Sequence, residues 1–200
     1  MNSRNEIEYY RVLDINSDFE KLMGMETEKH SKRMEAYCHS IGIELQLSAK
    51  ELDELSLAAI LHDIGKVGID PDILKKPGQL TPSEWEEMKR HPEIGYRIVR
   101  AASELVEVAE FILFHHERWD GKGYPSGLKG EEIPLICRIL AVTDAYDAMT
   151  NDRVYRKAIS SEEAIAELQK NAGTQFDPQI VSLFIEILQS KNVFHQNPRA

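Results

Sequence analysis

Apolar residues recur every three to four positions along most of this 200-residue chain, while strand-like alternation is missing, so the pattern predicts helices almost throughout. The first clear helix is expected over residues 19–41. Phe19, Leu22, Met23, Met34, Cys38 and Ile41 form its stripe, and Gly42 supplies a stop. A second begins at Ser48, where Ser-Ala-Lys-Glu makes a capping box, and runs to Ile64. A long connection through Gly68, Pro71, Pro77 and Gly78 follows. Thr81, Pro82 and Glu84 then fit the N-cap, first turn and third helical position of another helix. Pro92 restarts a helix, because proline disfavours simple continuation from the residue before it. Residues 104–117 read as helix, 120–133 as loop and 134–149 as helix. Ser160 with Glu163 opens the next helix, and Asp177-Pro178, with Phe176 and Val181 as a staple, opens the last. The expected fold class is all-α, a single-domain helical bundle of about seven or eight helices. Residues 1–18 are expected to be a linker or helix tail, and residues 19–200 the folded domain.

Composition narrows the function. At 42% apolar, a chain of this length can bury a sizeable core. The net charge of −10 and the lack of a basic stripe exclude a DNA or RNA polymer as a diffuse partner. An anionic ligand would therefore need a local cationic site, which bound divalent metals supply. No apolar run long enough to span a bilayer and no leader pattern occur, so no membrane insertion is expected. With two cysteines, Cys38 and Cys137, inside amphipathic stretches, the expectation is a reducing, cytoplasmic setting.

The seven histidines carry the candidate chemistry. His39 and His195 read as ordinary solvated or satisfied side chains. Glu26 and His30 stand four apart and continue the face of Leu22 and Met34, which suits either a metal site or a surface pair beside the stripe. His62 and Asp63 close the face of Leu52, Leu55 and Ala59, and an Asp at a helix C-terminus is a poor choice without a cation nearby. His91 precedes Pro92, where a capping role is the alternative to ligation. His115 and His116 follow an apolar run; neighbours on a helix point about 100° apart and can serve two adjacent metals. Asp144 lies at mid-helix on the face of Cys137, Leu140 and Ala141, where a carboxylate needs a partner. Mixed imidazole and carboxylate ligation without cysteine favours Fe, Mn or Zn over Mg or Ca. So many ligands suggest two or three divalent ions, an arrangement suited to phosphoryl transfer.

Four segments, in order, then resemble the HD-GYP domain: "AILHDIGKVGI" at 59–69, "KPGQLTPSEWEEMKRHPEIG" at 76–95, "HHERWDGKGYPSGLKGEEIPL" at 115–135 and "DAYDAMTNDRVYRKA" at 144–158. This is a branch of the HD metal-dependent phosphohydrolases that hydrolyses cyclic di-GMP in bacterial signalling. The resemblance implies metal ligation by His30, His62, Asp63, His91, His115, His116 and Asp144, with Glu26 as the extra carboxylate of members that hold three ions. The catalytic positions it implies are Lys66, matching the lysine that approaches the scissile phosphate, and Asp63. Lys66, Tyr124, Arg153 and Arg156 match positions that hold the dinucleotide, and Asp147, three residues after Asp144, is placed to orient a ligand. Glu117 suits the same supporting job or a solvated helix end. Gly121, Gly123 and Pro125 would present Tyr124 at a fixed spot, to a substrate or against Trp119.

The cofactors implied are Fe or Mn ions and the partner a cyclic dinucleotide, with a homodimer or a regulatory domain alongside. The alternatives are a catalytically silent module that binds cyclic di-GMP or a protein, and a phosphodiesterase for another cyclic dinucleotide such as cyclic GMP-AMP.

Overall fold

Capping chemistry decides where most of the helices begin. The computed structural model describes residues 25–152 and 157–196 and the isolated positions 11, 14 and 16, with backbone only for 25–27 and 191–196. Its helices are α1 (Met25–Glu44), α2 (Ala49–Leu61), the single turn α3 (Pro71–Leu74), α4 (Pro82–Met88), α5 (His91–Val99), α6 (Val106–Phe114), α7 (Leu135–Thr150), α8 (Ser161–Lys170) and α9 (Pro178–Gln196). Short 3-10 turns cover Ile64–Gly68, Ser103–Leu105 and Gly130–Glu132. Among the described residues there is no strand, only one isolated bridge between Ala172 and Phe176. The all-α expectation holds.

The capping boxes expected at Ser48, Thr81 and Ser160 are all formed, each closed by the glutamate three residues on. Each satisfies two otherwise unpaired backbone donors at a helix start. Asp177 accepts from the Gln179 amide at the head of α9, between the buried Phe176 and Val181.

Several boundaries differ from expectation. α1 runs past Gly42 to Glu44, and the left-handed residue that ends the turn is Gln46, at φ 55°. Gly42 is needed for packing instead, since a Cβ there would lie 2.7 Å from Leu52 Cδ2. Phe19, Leu22 and Met23 lie outside the described residues. α2 stops at Leu61, so His62 and Asp63 stand at its end and the Ile64–Gly68 segment tightens into a 3-10 turn. α6 stops at Phe114, which leaves His115 and His116 just beyond it.

The core forms where the stripes meet. Met34, Cys38 and Ile41 of α1 pack with Leu55, Ala58 and Leu61 of α2, Ile112 of α6 and Ile139 and Leu140 of α7, all essentially inaccessible to solvent. α1 and α2 form an antiparallel pair, α7 packs on α1, and α8 and α9 close the far side against α7. Cys38 is fully buried, and burial pushes its thiol up to about 12, so it is a small apolar filler without nucleophilic character at neutral pH.

One contact sets the distance between the two halves of the bundle. α5 crosses the 64–68 turn so closely that a Cβ on Gly65 would lie 1.9 Å from the His91 carbonyl oxygen and 2.5 Å from the Gly95 amide nitrogen. Both neighbours are backbone and cannot swing aside. Gly65→Ala should therefore cost roughly 3 kcal/mol by forcing the two segments apart. The measurement is the urea midpoint at constant m-value; an unchanged midpoint would mean the close approach is not required.

Candidate metal centre

Three of the imidazoles finish helices. His62 Nδ1 donates to the Ala59 carbonyl at 2.9 Å, His91 Nδ1 to Met88 at 2.8 Å and His115 Nδ1 to Ile112 at 2.7 Å. Each acceptor lies in the last turn of α2, α4 or α6, where carbonyls lack a helical partner. A carbonyl only accepts, so in each ring the proton sits on Nδ1 and the lone pair on Nε2. His30 is fixed the same way, with Nδ1 2.6 Å from Asp147 Oδ2.

The free Nε2 atoms converge. His30 Nε2 faces His62 Nε2 at 3.4 Å, His91 faces His115 at 3.3 Å, and His116 faces His91 at 3.2 Å. His91 and His115, each with its Nδ1 proton committed to a carbonyl, set lone pair against lone pair, which no hydrogen bond between these neutral rings can relieve. A cation between them would, and the helix C-termini that His62, His91 and His115 close carry partial negative charge that favours one. Two donor groups result, His30, His62 and Asp144, and His91, His115 and His116, each with ligand atoms within 4.8 Å of one another.

Asp63 lies between these groups. Its Oδ2 is 3.6 Å from His62 Nε2 and its Oδ1 is 3.5 Å from His91 Nε2, so each oxygen addresses one group. Lys66, one turn on, places Nζ 2.5 Å from Oδ2. Burial opposes charge on Asp63, but the ammonium of Lys66 and the surrounding imidazoles hold its carboxyl well below the usual range.

Burial lowers His91 to about 4 and His116 to about 3, and pulls His115 well below its ordinary value. These rings are therefore neutral, with lone pairs available, at physiological pH. His30 goes the other way. Burial opposes its charge, but the bond to Asp147 and the charges of Asp144 and Asp63 outweigh that, and its value is raised.

Asp147, on α7 and 1% exposed, also accepts from Arg33 Nε at 2.5 Å, Arg33 Nη2 at 3.1 Å and Asn151 Nδ2 at 3.0 Å. Its carboxylate fixes the ring of His30. Arg33 and Asn151 were not singled out from sequence. Their only signal was helical spacing, one turn after His30 and one turn after Asp147.

The 117–130 loop folds back over the site. Tyr124 places its ring 4.9 Å from that of His116, tilted by 31°, and its amide donates to the His116 carbonyl at 3.3 Å. It therefore packs on a site histidine and not on Trp119, whose indole lies under Arg138. Burial, then the charges of Asp63 and Asp144, raise the Tyr124 phenol, which keeps its proton. Gly121 has the expected positive φ, 78°, but Gly123 does not. Gly123 is required by space, since a Cβ there would lie 2.4 Å from the Arg118 amide nitrogen. Glu117 is not at a solvated helix end: it is 3% exposed. His39 is exposed, as expected. The side chains of Glu26 and His195, and the whole of Arg153 and Arg156, lie outside the described set.

Residues 21–180 match the model of the HD domain. A cyclic di-GMP phosphodiesterase of Thermotoga maritima is 43% identical over 180 residues, 89% of this chain and 49% of the relative. A 3'3'-cGAMP-specific phosphodiesterase of Vibrio cholerae is 40% identical over 163 residues, 80% of this chain and 31% of the relative. The chain thus spans half or less of the length of these relatives. Among solved structures, an HDG"Y"P protein from Bdellovibrio bacteriovorus superposes with a TM-score of 0.65 at 20% identity, over 80% of this chain and 51% of that one. That likeness speaks for the fold.

The lowered imidazoles carry a pH signature. Between about pH 6.5 and 4 the unfolded chain protonates His91, His115 and His116 while the folded chain does not, so metal-free protein should lose stability as pH falls through that window. Thermal midpoints recorded against pH test this. His116→Gln should flatten the slope, and an equal slope in the variant would rule out the buried neutral ring as its source.

Proposed function

The chain belongs to the HD domain family, and from that premise we propose that it is a member of the HD-GYP branch, a metal-dependent phosphodiesterase that hydrolyses cyclic di-GMP to linear pGpG and onward to GMP in bacterial signalling. The observation that carries this reading is the pair of donor groups on either side of Asp63, with Lys66 on one flank and Tyr124 on the other.

The residues fit divalent cations: neutral imidazoles present lone pairs, and carboxylates balance the charge. His30, His62 and Asp144 would hold one ion, His91, His115 and His116 another, with Asp63 shared, and Glu26 would serve a third. Such ions, when bound, polarise a phosphoryl oxygen and lower the pKa of a coordinated water. Mixed imidazole and carboxylate ligation suits Fe, Mn or Zn, and of these we take Fe or Mn as the resident ions.

The chain's own groups do the rest. Lys66 carries a positive charge beside Asp63, where it can offset charge building on the phosphoryl oxygens. Asp147 keeps the His30 lone pair aimed inward. Tyr124, protonated and stacked on His116, offers a phenol donor and a ring edge to the dinucleotide. Arg153 and Arg156 would grip its phosphates, with the bidentate reach of guanidinium. No helix of the described residues is long and apolar enough to cross a membrane. We place the activity in the cytoplasm, under control of a regulatory domain or a homodimer contact, with residues 1–18 as the linker to residues 19–200. The cGAMP-specific relatives favour a second reading, the same chemistry on 3'3'-cGAMP.

The test is incubation of anaerobically purified protein, loaded with Fe(II) or Mn(II), with each dinucleotide alone and in competition. Cyclic di-GMP should be consumed in preference, giving pGpG and GMP. Asp63→Asn should lower kcat by roughly a thousandfold. A count of three metals per chain supports Glu26 as a ligand. No product from either dinucleotide under metal-replete conditions would sink the enzyme reading.

A further inference from the structure

Glu117 immediately follows the two site histidines, yet it belongs to neither donor group and its carboxylate bonds into the loop. Its Oε1 accepts from the Ser126 amide at 2.7 Å and from the Gly127 amide at 3.0 Å. Both donors lie beyond Tyr124, so a single buried oxygen ties the far end of the loop back to its root. Two further restraints act with it. Gly123 passes so near residues 117 and 118 that a Cβ would lie 2.5 Å from the Glu117 Cα. The Trp119 and Asp120 amides donate to Gln175 at 3.1 Å and Thr174 at 2.8 Å, which docks the near end of the loop on the turn between α8 and α9. Between these held ends Tyr124 stands over His116.

The cost of this device argues that it serves a purpose. Glu117 Oε2 is buried without a hydrogen-bond partner among the described residues, and a buried carboxylate held by one oxygen is expensive. A residue needed only to fill the core would be apolar there. Backbone amides that would otherwise lie free at the loop's return need a strong acceptor, and a carboxylate is the strongest available.

We propose that Glu117 is a positioning residue for the substrate: its carboxylate fixes the loop so that Tyr124 stands against His116, and it governs dinucleotide binding while taking no part in metal binding. The proposal rests on the phosphodiesterase reading for its substrate, but its structural half can be measured without one.

The experiment compares Glu117→Ala, Glu117→Gln, Tyr124→Ala and the Glu117→Ala/Tyr124→Ala pair as metal-loaded proteins. Glu117→Ala should raise KM for cyclic di-GMP on the order of tenfold, with kcat within about threefold of wild type. Its metal content should equal that of wild type. Glu117→Gln, which keeps an acceptor for both amides, should recover most of the loss. The double variant should be little worse than Tyr124→Ala alone, because the two changes remove one interaction. Hydrogen exchange at the Ser126 and Gly127 amides should accelerate in Glu117→Ala and stay slow in Glu117→Gln. That readout stands even if wild type leaves cyclic di-GMP intact, so failure of the function and failure of this proposal are distinguishable. Loss of metal together with kcat in Glu117→Gln, fully additive effects in the double variant, or unchanged exchange at those two amides would each overturn it.

Discussion

A buried imidazole whose Nδ1–H is already committed has only one place to put its lone pair. In this protein His62, His91 and His115 commit that proton to the unpaired carbonyls at three helix ends, and His30 commits its own to Asp147. The same hydrogen bonds that finish the helices therefore aim four ring nitrogens at common points. The facing lone pairs of His91 and His115, 3.3 Å apart, are unfavourable without a positive charge between them. Helix termination and ligand presentation are thus one interaction, and the short lengths of α4 and α6 follow from it: each stops where its imidazole is needed.

Convergence also requires that the helix ends meet. The Ile64–Gly68 turn, α5 and the end of α6 press together at Gly65 and Gly95, where a Cβ on Gly95 would lie 2.8 Å from Ile112 Cγ2. This contact brings Asp63 within reach of His62 on one side and His91 on the other. α7 supplies the opposing wall, with Asp144 toward the donors and Asp147 behind His30. Arg33 and Asn151 neutralise and hold Asp147, so a carboxylate buried between α1 and α7 is paired on every side.

Over that rigid base lies the loop, whose restraints are of a different kind. Its shape comes from backbone donors meeting a buried carboxylate and from glycine where no Cβ fits, with little apolar burial of its own. Base and loop touch at the stack of Tyr124 on His116 and at the bond between their backbones. The two donor groups and the Tyr124 ring are thereby built by separate interactions and joined at one residue.

Local chemistry was open to reading from the chain. The capping boxes at Ser48, Thr81 and Ser160 involve residues three apart, and the stripes of Met34, Cys38 and Ile41 follow helical spacing, so both are written in adjacent text. His62, Asp63, His115, His116 and Asp144 stood out as polar groups on or beside apolar faces and His91 by its place before Pro92, and the family resemblance joined them into one candidate set. The end of α1 was misread because Gly42 looks like a stop when only its neighbours are considered, whereas its bareness answers to Leu52 on another helix. Gly123 and Glu117 were misjudged for the same reason. By itself the sequence determined the helices, their faces and the set of ligand-type residues, since these depend on interactions within a few residues. Only the tertiary structure decided which imidazoles share a point, that Asp63 stands between two groups, and that Glu117 ties the loop, since each depends on distances between segments that spacing along a chain does not encode.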